Sequence, residues 1–467
     1  MAAVMAAAAV LVAAGSSGPA LAGTAPSAGT APSAGIAPSA GTAPSAVGLV
    51  SGTGDCDSAA TCYTPAQLRA AYGVQPLTDR GIDGRGETVV IPALAESRPS
   101  PPVVSEPVVS EPVVSKPVVS DLRQDMAGFD KQFGLPAPRM RVVTTLAGSA
   151  SPWLSDGEET LDAEMVHAVA PRAAITVVLL RPADLATPAA AAAALSAMLK
   201  IGVTSGDVIS ISAGWGERCF TKAEAASLHA ALGQAAARHV TVVAGTGDTG
   251  PVSEPCDELD LVNGTKFPLV AGVSLPASDP LVLAAGGTTL DASHQSGTYL
   301  GETAWGLPYG TPGTAFQASG GGYSRLYARP GYQGDVVTGT ARGVPDVSAD
   351  ANGHTGMAMV TGNGSGGYTI SDSGGTSAAA PFWAGVIALA DQYAGHDLGV
   401  VNPALYRIAG TAAYRAAFHD VTAGSNTVEF LPRVFIGYWA ARGWDPVTGL
   451  GSPDARALVP LLARGKG

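Results

Sequence analysis

Charged residues are scarce in this chain of 467 residues, and positive charge is the scarcer sign. Asp, Glu, Lys and Arg make up 14% of the residues, with 26 Lys and Arg against 38 Asp and Glu, so the formal net charge is −12. This balance argues against nucleic acid or an anionic membrane surface as a partner. Hydrophobic residues make up 46%, and 60 Gly and 35 Pro supply turns, which is typical of a folded protein with a sizeable core.

Long hydrophobic runs are also few. Residues 1–22 are apolar and end in Ala20-Leu21-Ala22, a small-x-small pattern typical of a signal-peptidase site. We therefore predict a signal peptide and a secreted, extracellular protein; the alternative, a membrane anchor, is disfavoured because the apolar run before Gly15 is short for a bilayer. No later stretch reaches about 18 uninterrupted apolar residues, so no stable membrane association is expected.

The chain has four cysteines, and their spacing fits neither a zinc ribbon nor a CxxC redox pair. An even number in a secreted chain predicts two disulfides. Proximity in sequence favours Cys56 with Cys62 and Cys219 with Cys256, although four cysteines permit three pairings.

Two tandem repeats interrupt the sequence. Residues 23–46 repeat a six-residue unit rich in Pro, Ala, Gly and Ser four times, which predicts a flexible linker over 23–54. Residues 102–121 repeat the unit PVVS followed by a charged residue. Because a proline at every fifth position blocks both a helix and a central strand, we predict an exposed loop insertion there.

The rest of the sequence alternates between two kinds of segment. Short β-branched runs bounded by Gly, Asp or Pro predict strands at Gly86–Leu94, Ala173–Leu180, Asp207–Ser212, Val240–Gly245 and Leu281–Gly287. Ala- and Leu-rich segments predict helices at Leu122–Phe133, Leu161–Val169, Ala189–Leu199 and Lys222–Ala237. Apolar strands that alternate with helices indicate a mostly parallel sheet covered on both faces, with functional sites at the carboxyl ends of its strands.

Ser377 lies in the run GGTSAAAP, at the start of an apolar helical stretch, as a hydrolase nucleophile would. The usual partner of such a serine is histidine. The chain has seven histidines, but none lies in the HGT-like motif that opens a helix in subtilisin-type enzymes. A different proton acceptor is therefore expected.

Three acidic residues are candidates. Glu158 and Asp162 are four residues apart, so on a helix they share a face at the start of an apolar stripe, whereas His167 points to the opposite side. Asp248 follows an apolar strand in the Gly-rich turn VVAGTGDTG. Taken one at a time, the first two could be ordinary acids of a helix N-terminus and Asp248 an ordinary turn residue.

These motifs occur together and in a fixed order. DGEETLD, ISISAGWGE, VVAGTGDTG, LPASDPLVLAAGGT, GGGYSR, RGVPDVSAD, GGTSAAAP and the closing FHDVT and GWDPVTGLGSP resemble the sedolisin family of serine-carboxyl peptidases. The resemblance spans roughly Tyr63 to Leu462. It implies a subtilisin-like three-layer α/β/α fold with a mostly parallel twisted sheet, in one large peptidase domain over residues 55–465. It also implies a monomer that acts on proteins or peptides.

The resemblance assigns a role to each candidate. Ser377 is the implied nucleophile, Glu158 its general base, Asp162 the carboxyl that orients Glu158, and Asp248 the acid of the oxyanion hole. This set is chemically coherent in acid, because glutamate can accept a proton at a pH where histidine is already protonated. Asp248 must stay protonated to donate a hydrogen bond, so the two pKa values must be pushed apart. We therefore expect an acid-active enzyme.

The resemblance further implies one structural Ca²⁺ ion in residues 418–453. Its side-chain ligands would be Asp420 and Asp445, and its backbone carbonyl ligands Val421, Ala441 and Gly443. Such an all-oxygen set suits calcium, with water completing the coordination.

Two departures from the family pattern keep alternatives open. Members are usually made with a large N-terminal prodomain, whereas only the repeat linker lies between Ala22 and about Asp55. The run SAGWGE also differs from the more compact form expected after SIS, near where substrate pockets form. The expected function is a secreted acid endopeptidase; the alternatives are a tripeptidyl-peptidase of the same family and an inactive, peptide-binding homologue.

Overall fold

The computed structural model describes residues 62–94, 120–144, 154–155, 157–180, 187–254, 256, 270–306, 317–363, 366–430 and 433–464. The predicted signal peptide (1–22), the predicted linker (23–54) and residues 102–119 of the predicted repeat loop lie outside the described residues. The last two residues of that loop, Ser120–Asp121, form a strand that pairs with Leu154–Ser155, and Ser120 is buried. This end of the predicted loop is therefore part of the packed structure.

Within the described ranges, eight strands form the central sheet. They are β1 (Thr88–Leu94), β2 (Arg139–Thr144), β3 (Ala174–Leu180), β4 (Val208–Ile211), β5 (Thr241–Gly245), β6 (Leu283–Ala292), β7 (Tyr299–Ala304) and β8 (Val347–Asp350). Their order is β7-β6-β5-β4-β1-β3-β2, and β8 also pairs with β6. β7 is antiparallel to β6 and the other described pairings are parallel; in the middle of the sheet Val89 pairs with both Ile175 and Val208.

Helices cover both faces of this sheet. They are α1 (Pro65–Ala71), α2 (Gln75–Thr78), α3 (Leu122–Phe133), α4 (Glu158–Val169), α5 (Pro188–Gly202), α6 (Lys222–Ala236), α7 (Thr376–Ala394), α8 (Asn402–Ala409), α9 (Tyr414–Ala417) and α10 (Ala455–Arg464). Helices α1, α3, α4, α7, α8 and α10 contribute to the core on one face, and α5 and α6 to the core on the other. The predicted three-layer α/β/α architecture is confirmed.

Local sequence explains where several helices begin and end. Asp121 caps the start of α3 through a hydrogen bond from Arg123 N, and Gly134, in the left-handed region at φ 68°, ends it. Thr221 and Glu224 form a capping box at the start of α6. These signals explain why the predicted bounds of α3 and α6 agree with the structure to within one residue.

Helix α4 differs from its prediction in two ways. It begins at Glu158, three residues before the predicted start, so both candidate carboxylates lie within it. Residues 159–169 are all buried, so burial is not limited to one apolar stripe. The reason is that α3 packs against the other side, where His167 Nε2 lies 2.9 Å from Asp130 Oδ1. His167 thus faces away from the carboxylate pair, as the helical geometry predicts.

Shorter pairs of strands extend from the layered core. They are Trp215–Gly216 with Ser274–Leu275, Gly322–Ala328 with Ala341–Val344, Met359–Gly362 with Tyr368–Ser371, Phe418–His419 with Ser452–Pro453, and Val428–Phe430 with Arg433–Phe435. The predicted disulfide between Cys219 and Cys256 is present, with Cα atoms 5.2 Å apart. The other predicted pair includes Cys56, which lies outside the described residues. None of the helices in the described ranges is long and apolar enough to cross a membrane.

Candidate active site

A pocket opens at the carboxyl ends of β1, β3 and β4, the edge of a parallel sheet where sites are expected. Its walls are mostly apolar, and its polar groups come from the first turns of α4 and from the residue that follows β4. The lining residues are Pro92, Ala93, Glu158, Glu159, Asp162, Leu180, Leu195, Ile211, Ser212, Ala213 and Trp215. The run SAGWGE, where the sequence departs from the family pattern, thus contributes to the wall beside Glu158.

Glu158 and Asp162 both line this pocket from α4. Glu158 is half-buried, whereas Asp162 is 1% exposed. The Ser212 hydroxyl donates a hydrogen bond to Asp162 Oδ1 at 2.7 Å. Burial raises the pKa of Asp162 well above its usual value, the nearby Glu159 carboxylate acts in the same direction, and the Ser212 hydrogen bond opposes them. In acid, Asp162 is therefore a neutral carboxylic acid.

Ser377 is the second residue of α7 and is half-buried. Its carbonyl would normally accept the N–H four residues later in the helix, but that residue is Pro381, which has no N–H. The Ser212 hydroxyl lies 3.3 Å from this carbonyl oxygen. Ser212 therefore connects the Asp162 carboxyl to the first turn of the helix that carries Ser377.

Asp248 contacts the same first turn from the end of β5. Its Oδ1 accepts hydrogen bonds from Thr376 N at 2.8 Å and from Thr376 Oγ1 at 2.9 Å. Thr376 Oγ1 in turn accepts Gly247 N at 3.0 Å, which ties the Gly-rich turn to α7. Burial raises the pKa of Asp248, and the two Thr376 hydrogen bonds partly offset that rise. This is the direction that an acid of the oxyanion hole requires.

The second oxygen of Asp248 lies against Gly375. A Cβ at Gly375 would be 2.6 Å from Asp248 Oδ2 and 3.6 Å from Ser377 Cβ, and Gly375 has φ +80°. Only glycine fits this combination of backbone angle and close approach without strain. Thr376 thus holds one oxygen of Asp248, while the other lies next to the turn that presents Ser377.

Glu254 is hydrogen-bonded to the backbone of Asp248. Its Oε1 accepts Asp248 N at 2.8 Å and Thr249 Oγ1 at 3.1 Å. Burial, followed by the negative charge of Asp248, raises the pKa of Glu254 to about 7. Glu254 lies two residues before Cys256, whose disulfide to Cys219 anchors this segment.

The structure therefore brings Asp162 and Asp248 into contact with one turn, through Ser212 and Thr376 respectively, and places Glu158 in the pocket that Asp162 and Ser212 share. The sequence analysis did not identify Ser212, Thr376 or Glu254 as functional. Ser212 ends a predicted strand, at the edge where sites are expected, so its position was a usable signal. Glu254 has no distinctive sequence context.

The predicted calcium ligands lie together in the C-terminal region. Asp420 Oδ1 accepts Gly443 N at 3.0 Å, and Asp445 Oδ2 accepts Ala441 N at 3.1 Å, so both carboxylates meet the 441–445 turn. The carbonyls of Val421, Ala441 and Gly443 accept no backbone hydrogen bond from the described residues. Asp445 also holds Val447 N and Thr448 N through Oδ1. The donor set fits calcium, with Asp445 in addition fixing the turn.

Comparisons with known proteins agree with this architecture. The sequence matches the subtilase family, Peptidase S8, over residues 140–417. It is 31% identical to kumamolisin from Bacillus sp. (strain MN-32) over 417 residues, which cover 87% of this chain and 64% of that protein. It is 30% identical to sedolisin from Pseudomonas sp. (strain 101) over 354 residues, 73% of this chain and 56% of that protein. The chain thus spans roughly 60% of the length of these two relatives.

A tripeptidyl-peptidase from Arthroderma otae is 33% identical over 285 residues, 55% of this chain and 41% of that protein. Among solved structures, Pseudomonas sedolisin, a serine-carboxyl proteinase complexed with two molecules of pseudo-iodotyrostatin, has a TM-score of 0.65 at 24% identity. The match covers 86% of this chain and 98% of that chain, and it shows a common fold. The chain therefore belongs to the subtilase family and, within it, to the sedolisin group.

Proposed function

We propose that this chain is a secreted, acid-active serine-carboxyl endopeptidase. One observation carries the proposal: two carboxyls with raised pKa values, Asp162 through Ser212 and Asp248 through Thr376, are hydrogen-bonded to the turn that presents Ser377. A nucleophilic serine whose proton is accepted by a carboxylate can react at low pH, where a histidine base would already be protonated. The peptidase domain would occupy residues 55–465 and follow a signal peptide at 1–22.

In the proposed reaction, Ser377 Oγ attacks the carbonyl carbon of the scissile peptide bond and Glu158 accepts the hydroxyl proton. Asp162, neutral in acid, orients Glu158 on the shared face of α4. Glu158 then returns the proton to the leaving amine, and an acyl-enzyme remains on Ser377. Water, deprotonated by Glu158, attacks the ester carbonyl carbon; the bond to Ser377 Oγ then breaks, Glu158 returns the proton to that oxygen, and the acid product leaves.

The oxyanion forms beside two donors. The protonated Oδ2 of Asp248 is one, because Oδ1 is occupied by Thr376. The amide of Ser377 is the other: it makes no backbone hydrogen bond within the described residues, as expected in the first turn of a helix. The N-terminal end of the α7 dipole adds to the stabilisation. Removing one such donor typically lowers kcat by roughly 10² to 10³.

The proposed calcium ion would be held by Asp420 and Asp445 and by the carbonyls of Val421, Ala441 and Gly443. When bound, it would supply positive charge that joins the segment after α9 to the 441–445 turn. In the protein itself, Asp420 already holds Gly443 N and Asp445 holds Ala441 N, so the two carboxylates keep the carbonyls of this turn in place. The role is structural.

Digestion of an unfolded protein at about pH 4, with fragments identified by mass, tests the proposal. The wild-type chain should cut internally, and Ser377→Ala should not cut. Equal cutting by both proteins would refute the assignment of Ser377. Release of tripeptides would favour the tripeptidyl-peptidase alternative, which the similarity to the Arthroderma enzyme keeps open, and no cutting by the wild type would favour the inactive, peptide-binding alternative.

A further inference from the structure

A second group of carboxylates lies at the amino ends of the sheet strands, the opposite edge from the Ser377 pocket. Glu87 directly precedes β1, Asp391 is near the end of α7, and Asp397 is in the loop that follows α7. Carboxylate oxygens of these three residues all lie within 4.8 Å of one another. Asp207, which directly precedes β4, acts electrostatically on both Glu87 and Asp391.

Asp391 is the central member of this group. It is 0% exposed, and its Oδ1 accepts Leu398 N at 2.9 Å. Its Oδ2 is also buried and has no hydrogen-bond partner among the described residues. A buried carboxylate oxygen without a partner is unfavourable, and native structures generally satisfy such a group with a donor, water or an ion.

Among the described residues, no Lys or Arg forms an ion pair with a member of this group. The charges that act on Glu87 come from the carboxylates of Asp207 and Asp397. Those that act on Asp391 come from Glu87, Asp397 and Asp207. The described part of the chain thus places four carboxyl groups together without a paired Lys or Arg.

We propose that Glu87, Asp391 and Asp397 form a Ca²⁺ site, separate from the C-terminal loop, with Asp207 as a neighbouring negative charge. Calcium takes six to eight oxygen ligands at roughly 2.4 Å, so two oxygens on opposite sides of the ion are roughly 4.8 Å apart. The oxygens of the three residues satisfy this limit. Glu87 and Asp397 are half-buried, which leaves an open side for entry and for water ligands.

The site would connect three parts of the fold: the start of β1, the end of α7 and the loop after it. Asp391 is 14 residues from Ser377 along α7, a helical rise of about 21 Å. The ion is therefore too far away to take part in peptide hydrolysis. It would instead fix the far end of the helix whose first turn presents Ser377.

Calcium titration of the full chain tests this site independently of activity. The chain would carry Ser377→Ala to prevent self-digestion and would be stripped of metal with a chelator. Calcium would then be titrated calorimetrically at pH 7.5, with the ions bound per chain counted by equilibrium dialysis. Asp420→Asn removes a ligand of the C-terminal loop, and the pair Glu87→Gln and Asp397→Asn removes two half-buried ligands here. Asp335→Asn, an exposed acid outside both groups, is the matched control.

We expect the Asp420→Asn chain to retain one calcium ion per chain. The double variant should lose an ion or bind it at least about tenfold more weakly, and Asp335→Asn should bind like the parent. Asp391→Asn should behave like the double variant; if its circular dichroism shows an unfolded chain, the double variant decides. Equal calcium binding by the folded double variant and the parent would overturn the proposal, as would complete loss of binding in Asp420→Asn.

Discussion

The Ser212 hydroxyl lies 2.7 Å from Asp162 Oδ1 and can reach the carbonyl of Ser377, 3.3 Å away. It has one proton and cannot donate to both. We expect the hydroxyl to donate to Asp162 when Asp162 is ionised, and to donate to the Ser377 carbonyl when Asp162 is protonated and can itself donate to Ser212. Because burial raises the pKa of Asp162, the second arrangement is the acid form. We therefore propose Ser212 as a positioning residue that links the protonation of Asp162 to the turn that carries Ser377.

Replacing Ser212 with alanine should lower kcat about tenfold or more with little change in KM, because the substrate pocket remains while the turn loses its link to Asp162. The hydroxyl stabilises the Asp162 carboxylate, so its loss should raise the pKa of Asp162 and move the pH–rate profile to higher pH. Steady-state kinetics from pH 3 to 7 measure both effects.

Ser210→Ala is the control for that experiment. Ser210 lies in β4, two residues before Ser212, and is buried. Its Oγ has no hydrogen-bond partner among the described residues. Its replacement should leave kcat and the pH profile unchanged. If both alanine variants behaved like the parent, the positioning role of Ser212 would be wrong.

The raised pKa of Asp248 predicts how activity falls on the alkaline side of the pH–rate profile. Asp248 donates to the oxyanion only when protonated, so activity should fall as the pH rises through its raised pKa. Asp248→Ala should lower kcat by roughly 10² to 10³ at a pH where Asp248 is protonated in the parent, and the difference should shrink as the pH rises through the pKa of Asp248. Asp248→Asn retains an oxygen for Thr376 and supplies an N–H donor that does not titrate, so it should retain more activity and keep it at higher pH. Identical alkaline limbs in the parent and Asp248→Asn would show that another group controls this limb.

The raised pKa of Glu254 predicts that the stability of the fold depends on pH. This pKa is raised from 4.5 to about 7 in the folded chain, so the folded state holds this proton more tightly than the unfolded state. The resulting stabilisation is complete below about pH 4.5 and is lost as the pH rises to about 7. Allowing for partial exposure, the loss should be about 2 kcal/mol.

Glu254→Gln keeps the acceptor for Asp248 N and Thr249 Oγ1 but cannot ionise. In a Ser377→Ala background, urea unfolding at pH 4.5 and pH 7 should therefore show a smaller drop in the free energy of unfolding for Glu254→Gln than for the parent. Equal drops would mean that Glu254 is not neutral in the folded state at low pH.

The fold was largely predictable because its signals are local. The β-branched runs that became β1, β3, β4 and β5 are bounded by turn residues, and α3 has a capping aspartate at its start and a glycine at its end. The family motifs placed Glu158, Asp162, Asp248 and Ser377 near one edge of the sheet. In each case a few adjacent residues carry the information.

The remaining features depend on contacts between distant segments. Ser212 is 50 residues from Asp162 and 165 from Ser377, so its two contacts exist only after the sheet and α7 are packed. The burial of α4 on every side likewise depends on α3, which precedes it in the chain. No sequence window contains both partners of these contacts.

The proposed calcium site in the C-terminal loop predicts that the stability depends on metal. Chelation with EDTA should lower Tm, and Asp420→Asn should lower the Tm measured in excess calcium while reducing the further effect of EDTA, because a ligand and an anchor of the 441–445 turn are lost together. Asp335→Asn serves as the control and should respond to EDTA like the parent. A Tm that does not respond to EDTA in any of these proteins would contradict calcium binding.

At Gly375 we expect even one added methyl group to impair both stability and activity. Its φ of +80° disfavours any L side chain, and a Cβ would lie 2.6 Å from Asp248 Oδ2, the oxygen assigned to the oxyanion hole. Gly375→Ala should therefore cost about 1 to 3 kcal/mol of stability and displace the Asp248 carboxyl, lowering kcat by about 10² or more. Gly233→Ala is the matched control, since this glycine lies inside α6 with nothing within 4 Å of the added methyl group. It should leave kcat unchanged and raise stability by up to about 1 kcal/mol, because alanine favours the helix. Thermal unfolding and kcat at pH 4 decide between the two outcomes: a Gly375→Ala enzyme as active as the Gly233→Ala enzyme would mean that Asp248 Oδ2 does not need its place beside the Ser377 turn.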